Sequence, residues 1–337
     1  MPSAEYATER ARLAEAARAA EALRADHKET AGASCHTLVN SQGLKLFVRT
    51  WEPTTTGATR AAPAPAPAPA TGLVVLVHGV TVHSGVFDGV AQHLAAQGLA
   101  VVCYDQQGHG RSDSWQGLRG CVRAFGDWMD DCELVVDWAR QAYPAAAART
   151  FLLGESLGGT VVASGLRRSG LRGKVRGVVL MAPALRLAPH NLPPKAVMPL
   201  LKLAARLFPR AETPDDSTTD PAKWRAAFGD DAYAAALYAD PLVHTRPMRL
   251  HMLLLVGAFE QLWAHLEELD TPLMVAHAPG DGRTELAASR ALVARSPAAD
   301  KELLVVEGGR HVLFHDQPAI SAKVLQRVTQ WLTARCT

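Results

Sequence analysis

This 337-residue chain has little net charge: 35 Lys and Arg against 33 Asp and Glu leave a formal +2. Such a balance gives no basic footprint for nucleic acid, and none is expected as a partner. Long apolar runs are missing too; nothing approaches the roughly 18 residues that a membrane-spanning helix needs. The five cysteines are an odd number without CxxC spacing, which argues against a disulfide framework and against a cysteine metal site. A reduced, cytoplasmic setting is the expectation. Residues 2–29 are rich in Ala, Arg and Glu and have no apolar core, so they do not read as a secretory signal. Their acidic residues count against an organelle transit peptide as well, and residues 1–35 are taken as an N-terminal helical extension.

What the chain does have is Gly154-Glu155-Ser156-Leu157-Gly158, placed after the apolar run Thr150–Leu153 and before the small and branched residues Gly159–Leu166. Strand, sharp turn and helix is the setting in which a G-x-S-x-G serine becomes a nucleophile. The turn strains the serine backbone, and glycine-sized neighbours let strand and helix close around it. A hydroxyl attacking a carbonyl also needs a base and a group that orients the base. In this kind of elbow they follow in the order acid, then histidine.

Two later segments fit that order. Thr271–Ala278 is an apolar run begun by a helix-breaking Pro272, and it ends in Pro279-Gly280-Asp281-Gly282. Glu302–Val306 is a strand candidate running into Glu307-Gly308-Gly309-Arg310-His311, just ahead of the last helix. Ser156, Asp281 and His311 are therefore the predicted triad. His315 is the competing base, but its place beside Asp316 at the start of the terminal helix suits capping or a surface pair. Asp281 standing alone would read as a turn-forming Asp-Gly.

A further continuous apolar run, Leu73–Val77, reads as a parallel strand buried on both faces. The loop after it begins His78-Gly79-Val80, and such a loop supplies one oxyanion-hole N–H while the residue after the nucleophile supplies the other. That assigns the donors to Val80 and Leu157. His78 is read as a brace of this loop, and Asp105, His109 and Arg111, in the Gly-rich turn after Val101–Tyr104, as structural.

Strands are expected near 44–51, 73–77, 99–104, 150–154, 175–181, 272–277 and 302–306. Helices are expected near 86–97, 125–142, 157–169, 285–295 and 317–334. The alternation implies an α/β protein whose central sheet is mostly parallel. Its core comprises 36–183 and 271–337, with a Pro/Ala-rich loop insertion at 53–71 rather than a domain boundary. Residues 184–270 interrupt the alternation as a helical cap, with helices expected over Lys195–Arg210 and Pro247–Leu269. The first is apolar with interspersed Lys195, Lys202, Arg206 and Arg210, and suits either a lipid surface or simple packing over the pocket. Pro199 argues against one continuous helix. His244, His251 and His265 lack the spacing of a zinc helix and are read as ordinary cap residues.

Several of these segments together resemble the monoacylglycerol lipase group of α/β-hydrolases, and within it a plant-type branch with caffeoylshikimate esterase-like and lysophospholipase-like members. The resemblance is carried by N-S-Q-G-L-K-L-F at 40–47, V-H-G-V-T-V-H-S-G at 77–85 and D-Q-Q-G-H-G-R-S-D at 105–113. G-L-R-G at 117–120, G-E-S-L-G-G at 154–159, M-A-P-A at 181–184 and D-P-L-V at 240–243 add to it. It implies an α/β-hydrolase fold with a helical cap, and it lays the family's nucleophile, acid, base and oxyanion donors on Ser156, Asp281, His311, Val80 and Leu157. The family's acid loop, H-G-x-x-D-x-V-T-D-P, here reads H-A-P-G-D-G-R-T-E-L at 277–286. Arg283 in that loop is a cation two residues from Asp281, placed to draw the carboxylate away from His311.

The resulting expectation is a serine hydrolase that cleaves carboxylic esters through an acyl-enzyme, without cofactor or metal. The resemblance and the apolar cap favour monoacylglycerol or lysophospholipid, with transient contact between cap and membrane surface. Hydroxycinnamoyl or other aromatic esters, or thioesters, are the alternative substrates. A non-catalytic ligand-binding protein or receptor on the same scaffold, motivated by the altered acid loop, is the alternative of another class; a haloperoxidase-like activity is a third. Epoxide hydrolysis is disfavoured because it places an aspartate where Ser156 stands. Oligomeric state is left open.

Overall fold

A computed structural model describes residues 32–54, 70–168, 170–191, 193–194, 196–213 and 218–337. The expected N-terminal helix at 2–29 and most of the Pro/Ala-rich segment lie outside the described residues. Eight strands form one sheet in the order β1-β2-β4-β3-β5-β6-β7-β8. They are β1 (Ala33–Val39), β2 (Lys45–Trp51), β3 (Gly72–Val77), β4 (Leu99–Tyr104), β5 (Thr150–Glu155), β6 (Gly177–Met181), β7 (Leu273–His277) and β8 (Lys301–Val305). β1 and β2 are antiparallel, as are β2 and β4, and every other neighbouring pair is parallel.

β1 corrects the sequence reading, which ended the helical extension at residue 35 and began the sheet at residue 44. Ala33 pairs with Trp51 and Val39 with Lys45 around a turn shaped by Asn40, whose side-chain oxygen accepts the N–H groups of Gln42 and Leu44. Ser34, Cys35, Thr37 and Val39 are exposed and none of the seven residues is fully buried, as on a sheet edge, so no hydrophobic period announces the strand. β1 and β2 belong to the same sheet as β4, so one sheet spans the two sides of the Pro/Ala-rich segment.

The central strands are apolar without alternation because both faces are covered. On β3, Leu73, Val75 and Val77 belong to one core cluster and Val74 and Leu76 to the other. The first face carries α2 (Phe125–Ala142), α3 (Leu157–Leu166) and α8 (Leu286–Arg295), through residues such as Trp128, Val161 and Leu292. The second carries α1 (Asp88–Ala96) and α9 (Pro318–Thr333), through Leu94, Val328 and Trp331. The chain runs from β3 to β4 on one side and then back across β3 to β5 on the other. Strand order reverses there, which opens a crevice beyond the C-terminal ends of β3 and β5.

Between β6 and β7 the segment expected as a cap holds α4 (Met198–Leu207), α5 (Pro221–Arg225), α6 (Asp231–Tyr238) and α7 (Val256–Ala264). Pro199 lies in the first turn of α4, where a missing N–H costs nothing, so it starts the helix rather than breaking it. The single helix expected over 247–269 is instead a 3-10 stretch, Leu250–Leu255, followed by α7 and a second 3-10 turn. The side chains of Asp220 and Asp230 cap α5 and α6, start signals that a search for long apolar periods passes over.

Trp331 is fully buried at the seam of α9 and the sheet, edge-on to Phe151 at 6.2 Å and against Gly177. Trp331→Ala should lower stability by about 3–5 kcal/mol, read as a lower urea midpoint with an unchanged m-value.

Candidate active site

Ser156 stands between β5 and α3 with φ 53° and ψ −116°, a left-handed conformation for a residue with a side chain. Its N–H donates to Met181 O at 2.9 Å, and its carbonyl accepts Ala184 N–H at 3.0 Å. The turn tolerates no side chain at its glycines. A Cβ on Gly158 would run into the carbonyl oxygen of Val77, and one on Gly159 would meet Pro183 at 2.9 Å.

The three expected triad residues come together. His311 Nε2 is 3.0 Å from Ser156 Oγ, and His311 Nδ1 donates to Asp281 Oδ2 at 2.8 Å. His311 lies in the loop after β8, held by Val312 N–H donating to Ala227 O and by Arg310 N–H donating to Asp316 Oδ2. Asp281 lies in the loop after β7, where its Oδ1 accepts the N–H groups of Arg283 at 2.7 Å and Thr284 at 3.0 Å. Burial works to raise the Asp281 carboxyl, but His311, the hydrogen bonds from His277 and His311, and the Thr284 N–H outweigh it. They hold it well below the usual carboxylate range.

Arg283 does not draw Asp281 away as the sequence suggested. Its guanidinium donates to Lys223 O at 2.7 Å, while its backbone N–H supports the carboxylate. His315, expected at a surface or cap position, is half-buried between the cap segment and the loop after β3. Its ring stacks on Tyr233 at 3.7 Å and donates to Val86 O at 2.6 Å, and burial pushes its pKa down.

Val80 and Leu157 line the same cavity as Ser156. Leu157 opens α3, so its N–H is among those a helix leaves without an i−4 carbonyl. The Val80 loop is shaped by Thr81 at φ 70°, whose carbonyl accepts the N–H of His244 at 2.8 Å. His78 is the brace expected: its Nδ1 donates to Gly79 O and its Nε2 accepts Gln106 N–H at 2.9 Å. Burial lowers it to about 4, against the opposing pull of Asp105. Asp105 likewise acts structurally, accepting the N–H groups of Ser84 and Arg111, each at 2.7 Å. Sequence reasoning missed Thr81 and the anchoring role of His244. A positive φ at a threonine has no sequence signal, and the histidine acts through its backbone.

The cavity measures about 580 Å³ and is walled mainly by apolar groups, among them Trp128, Leu187, Leu201, Met252 and Phe259. Ser156, hydrogen-bonded through His311 to Asp281, thus faces an apolar chamber, an arrangement suited to acyl transfer from a hydrophobic ester. Among the described residues, no group of His, Cys, Asp and Glu is arranged to hold a metal, and no helix is long and apolar enough to cross a membrane.

A family model described as serine aminopeptidase, S33 (Hydrolase_4) matches residues 68–318. The chain belongs to this family. Among curated relatives of this Hydrolase_4 chain is a monoacylglycerol lipase of Mycolicibacterium smegmatis (strain ATCC 700084 / mc(2)155). It is 29% identical over 301 residues, spanning 89% of this chain and 96% of the relative. Monoglyceride lipase of Homo sapiens is 27% identical over 299 residues, spanning 88% and 90%. A soluble variant of monoglyceride lipase from Saccharomyces cerevisiae, solved with a substrate analog, superposes with a TM-score of 0.74. At 22% identity, covering 90% of this chain and 96% of that one, it shows the shared α/β-hydrolase fold.

Glu155, beside the nucleophile, is buried, and burial raises its carboxyl from the ordinary 4.5 to about 8. A carboxyl raised by folding contributes stability that is complete below pH 4.5 and lost as pH rises through about 8. Glu155→Gln should therefore flatten the decline in urea midpoint between pH 5 and 8, roughly, and be close to neutral at pH 4.5. Asp131, raised to about 7 by burial, contributes a decline of its own that the difference between wild type and variant removes.

Proposed function

We propose that this protein is a carboxylic ester hydrolase acting through an acyl-enzyme, with monoacylglycerol or lysophospholipid as substrate class. Ser156 Oγ attacks the ester carbonyl. His311 Nε2 takes its proton and returns it to the departing alcohol, and a water molecule then releases the acyl group by the same route. Asp281 holds the imidazole and stabilises its charged form. The N–H groups of Val80 and Leu157 receive the oxyanion, where one donor is worth about 100- to 1,000-fold in rate. The observation that carries this reading is the continuous Ser156–His311–Asp281 hydrogen-bond chain at the end of an apolar cavity. Relatives named as monoacylglycerol and monoglyceride lipases support the ester class. The plant-type placement rests on the sequence motifs alone.

A panel of p-nitrophenyl esters of rising chain length, a monoacylglycerol, a lysophospholipid and a hydroxycinnamoyl ester tests the assignment. Wild type should turn over the glycerol or lysophospholipid ester and react with a fluorophosphonate. Ser156→Ala should lose about four to six orders of magnitude in kcat and all labelling. A wild type that is inert and unlabelled would favour the binding-protein reading, and preference for the aromatic ester would move the substrate class.

The cap also supports contact with a lipid surface. Leu200, Leu203, Leu207 and Phe208 turn outward on and after α4, exposed by 68%, 51%, 64% and 63%, while the neighbouring Leu201 faces the cavity. Lys202, Arg206 and Arg210 lie in the same stretch. Replacing Leu200, Leu203 and Leu207 together by Ser should weaken binding to anionic vesicles roughly a hundredfold. Turnover of a short, soluble p-nitrophenyl ester should stay within about twofold.

A further inference from the structure

Asp281 is gripped by more than the triad histidine. His277, the last residue of β7, is fully buried and sets its Nε2 3.2 Å from Asp281 Oδ2, the oxygen that also serves His311. On the far side, His277 Nδ1 lies 2.7 Å from Ser289 Oγ, itself fully buried on α8. Thr284 Oγ1 donates to the same carboxylate oxygen at 2.8 Å.

The chemistry of the partners orients the chain. An ionised carboxylate can only accept, so Nε2 of His277 carries the proton and donates to Asp281. In the neutral ring Nδ1 is then the acceptor, and the Ser289 hydroxyl donates to it. From the protein interior to the cavity the order is Ser289, His277, Asp281, His311, Ser156.

We propose that His277 is a positioning residue for the acid of the triad, and that Ser289 fixes the tautomer in which His277 does this. The inference rests on the hydrolase reading above and deepens it. A neutral N–H donor at this place has two effects. It stops the carboxylate rotating about its side chain away from His311 Nδ1. It also takes up part of the carboxylate's negative charge, which would otherwise fall wholly on His311. A second cationic histidine would instead cancel the charge that the His311 imidazolium needs.

Other ionisable groups border this chain. Arg283, on the acid loop, turns its guanidinium to Lys223 O; Arg310, beside His311, turns towards Ala226 O. Glu285 ends the acid loop ahead of α8, and Glu155 precedes the nucleophile on β5. The Asp281 carboxylate is held by the His311, His277 and Thr284 side chains and by the Arg283 and Thr284 N–H groups.

The test is the pH dependence of kcat/KM on a soluble p-nitrophenyl ester, run on wild type, His277→Leu, His277→Gln and Ser289→Ala. Loss of the donor in His277→Leu should leave more negative charge directed at His311, so the acid limb should move to higher pH by about half a unit or more. kcat should fall about 10- to 100-fold, with KM within about twofold. His277→Gln, whose amide N–H can take the place of Nε2–H, should restore both. Ser289→Ala improves helix propensity on α8, and it should move the limb the same way by a smaller amount. It keeps the test open if His277→Leu fails to fold. An acid limb that stays in place or moves to lower pH in folded His277→Leu or Ser289→Ala overturns the proposal, even if kcat falls. An active wild type with an unmoved limb sinks this inference alone; an inert wild type sinks it together with the hydrolase reading.

Discussion

One serine backbone held in a left-handed conformation is the constraint on which the rest of the site depends. A non-glycine residue at such angles costs on the order of 1–3 kcal/mol, and it persists because its surroundings over-determine it. Here the surroundings are the sheet itself. Ser156 is bonded to β6 through Met181 O, and α3 presses on β3 so closely that Gly158 has no room for a methyl group beside Val77 O. Parallel pairing of β5 with both β3 and β6 sets that approach. A shift of one residue in either register would exchange the two faces of β5 and take the hydroxyl out of reach of His311.

Around this fixed point, burial sorts the ionisable groups into two kinds. His78, His109, His244 and His315 are all pushed down by burial, so near neutral pH they are uncharged hydrogen-bonding braces. Asp281 is buried as well, yet donors on both its oxygens keep it ionised. Its negative charge is thus placed directly against His311 Nδ1. That is the electrostatic condition for a histidine to accept a proton from serine and hold it through the tetrahedral intermediate.

The meeting of Ser156, Asp281 and His311 was legible in the sequence because each lies in the turn or loop that follows a strand with an apolar run. The chemistry of turns then leaves few positions where Ser156, Asp281 and His311 can project. The central strands were legible for the same reason, since burial on both faces writes itself into composition. β1 was not, because an edge strand with exposed alternate residues has no such pattern. Arg283 and His315 were misjudged for a shared reason. Both take their partners from the cap segment, Arg283 at Lys223 O and His315 at Tyr233, more than fifty positions away in sequence. Local spacing carries no information about such pairs. The cap helices themselves were half legible: their apolar content was plain, while the division at Leu250–Leu255 is decided by packing over the cavity.

Those cap contacts bear on how a substrate can reach Ser156. The segment holds the His311 loop through Ala227 O, the Asp281 loop through Lys223 O and the Val80 loop through the His244 N–H. Asp240 adds a 3.0 Å hydrogen bond with His83 Nε2, on the same loop as Val80. A cap that swung away as a rigid body would pull on all three loops and loosen the constellation at the moment it is needed. Movement confined to α4 carries no such penalty. Leu201 on its inner side walls the cavity, and its outer leucines face outward. The same helix thus presents one side to the cavity and another outward, while the contacts that hold the loops of Val80, Asp281 and His311 come from residues 223–244.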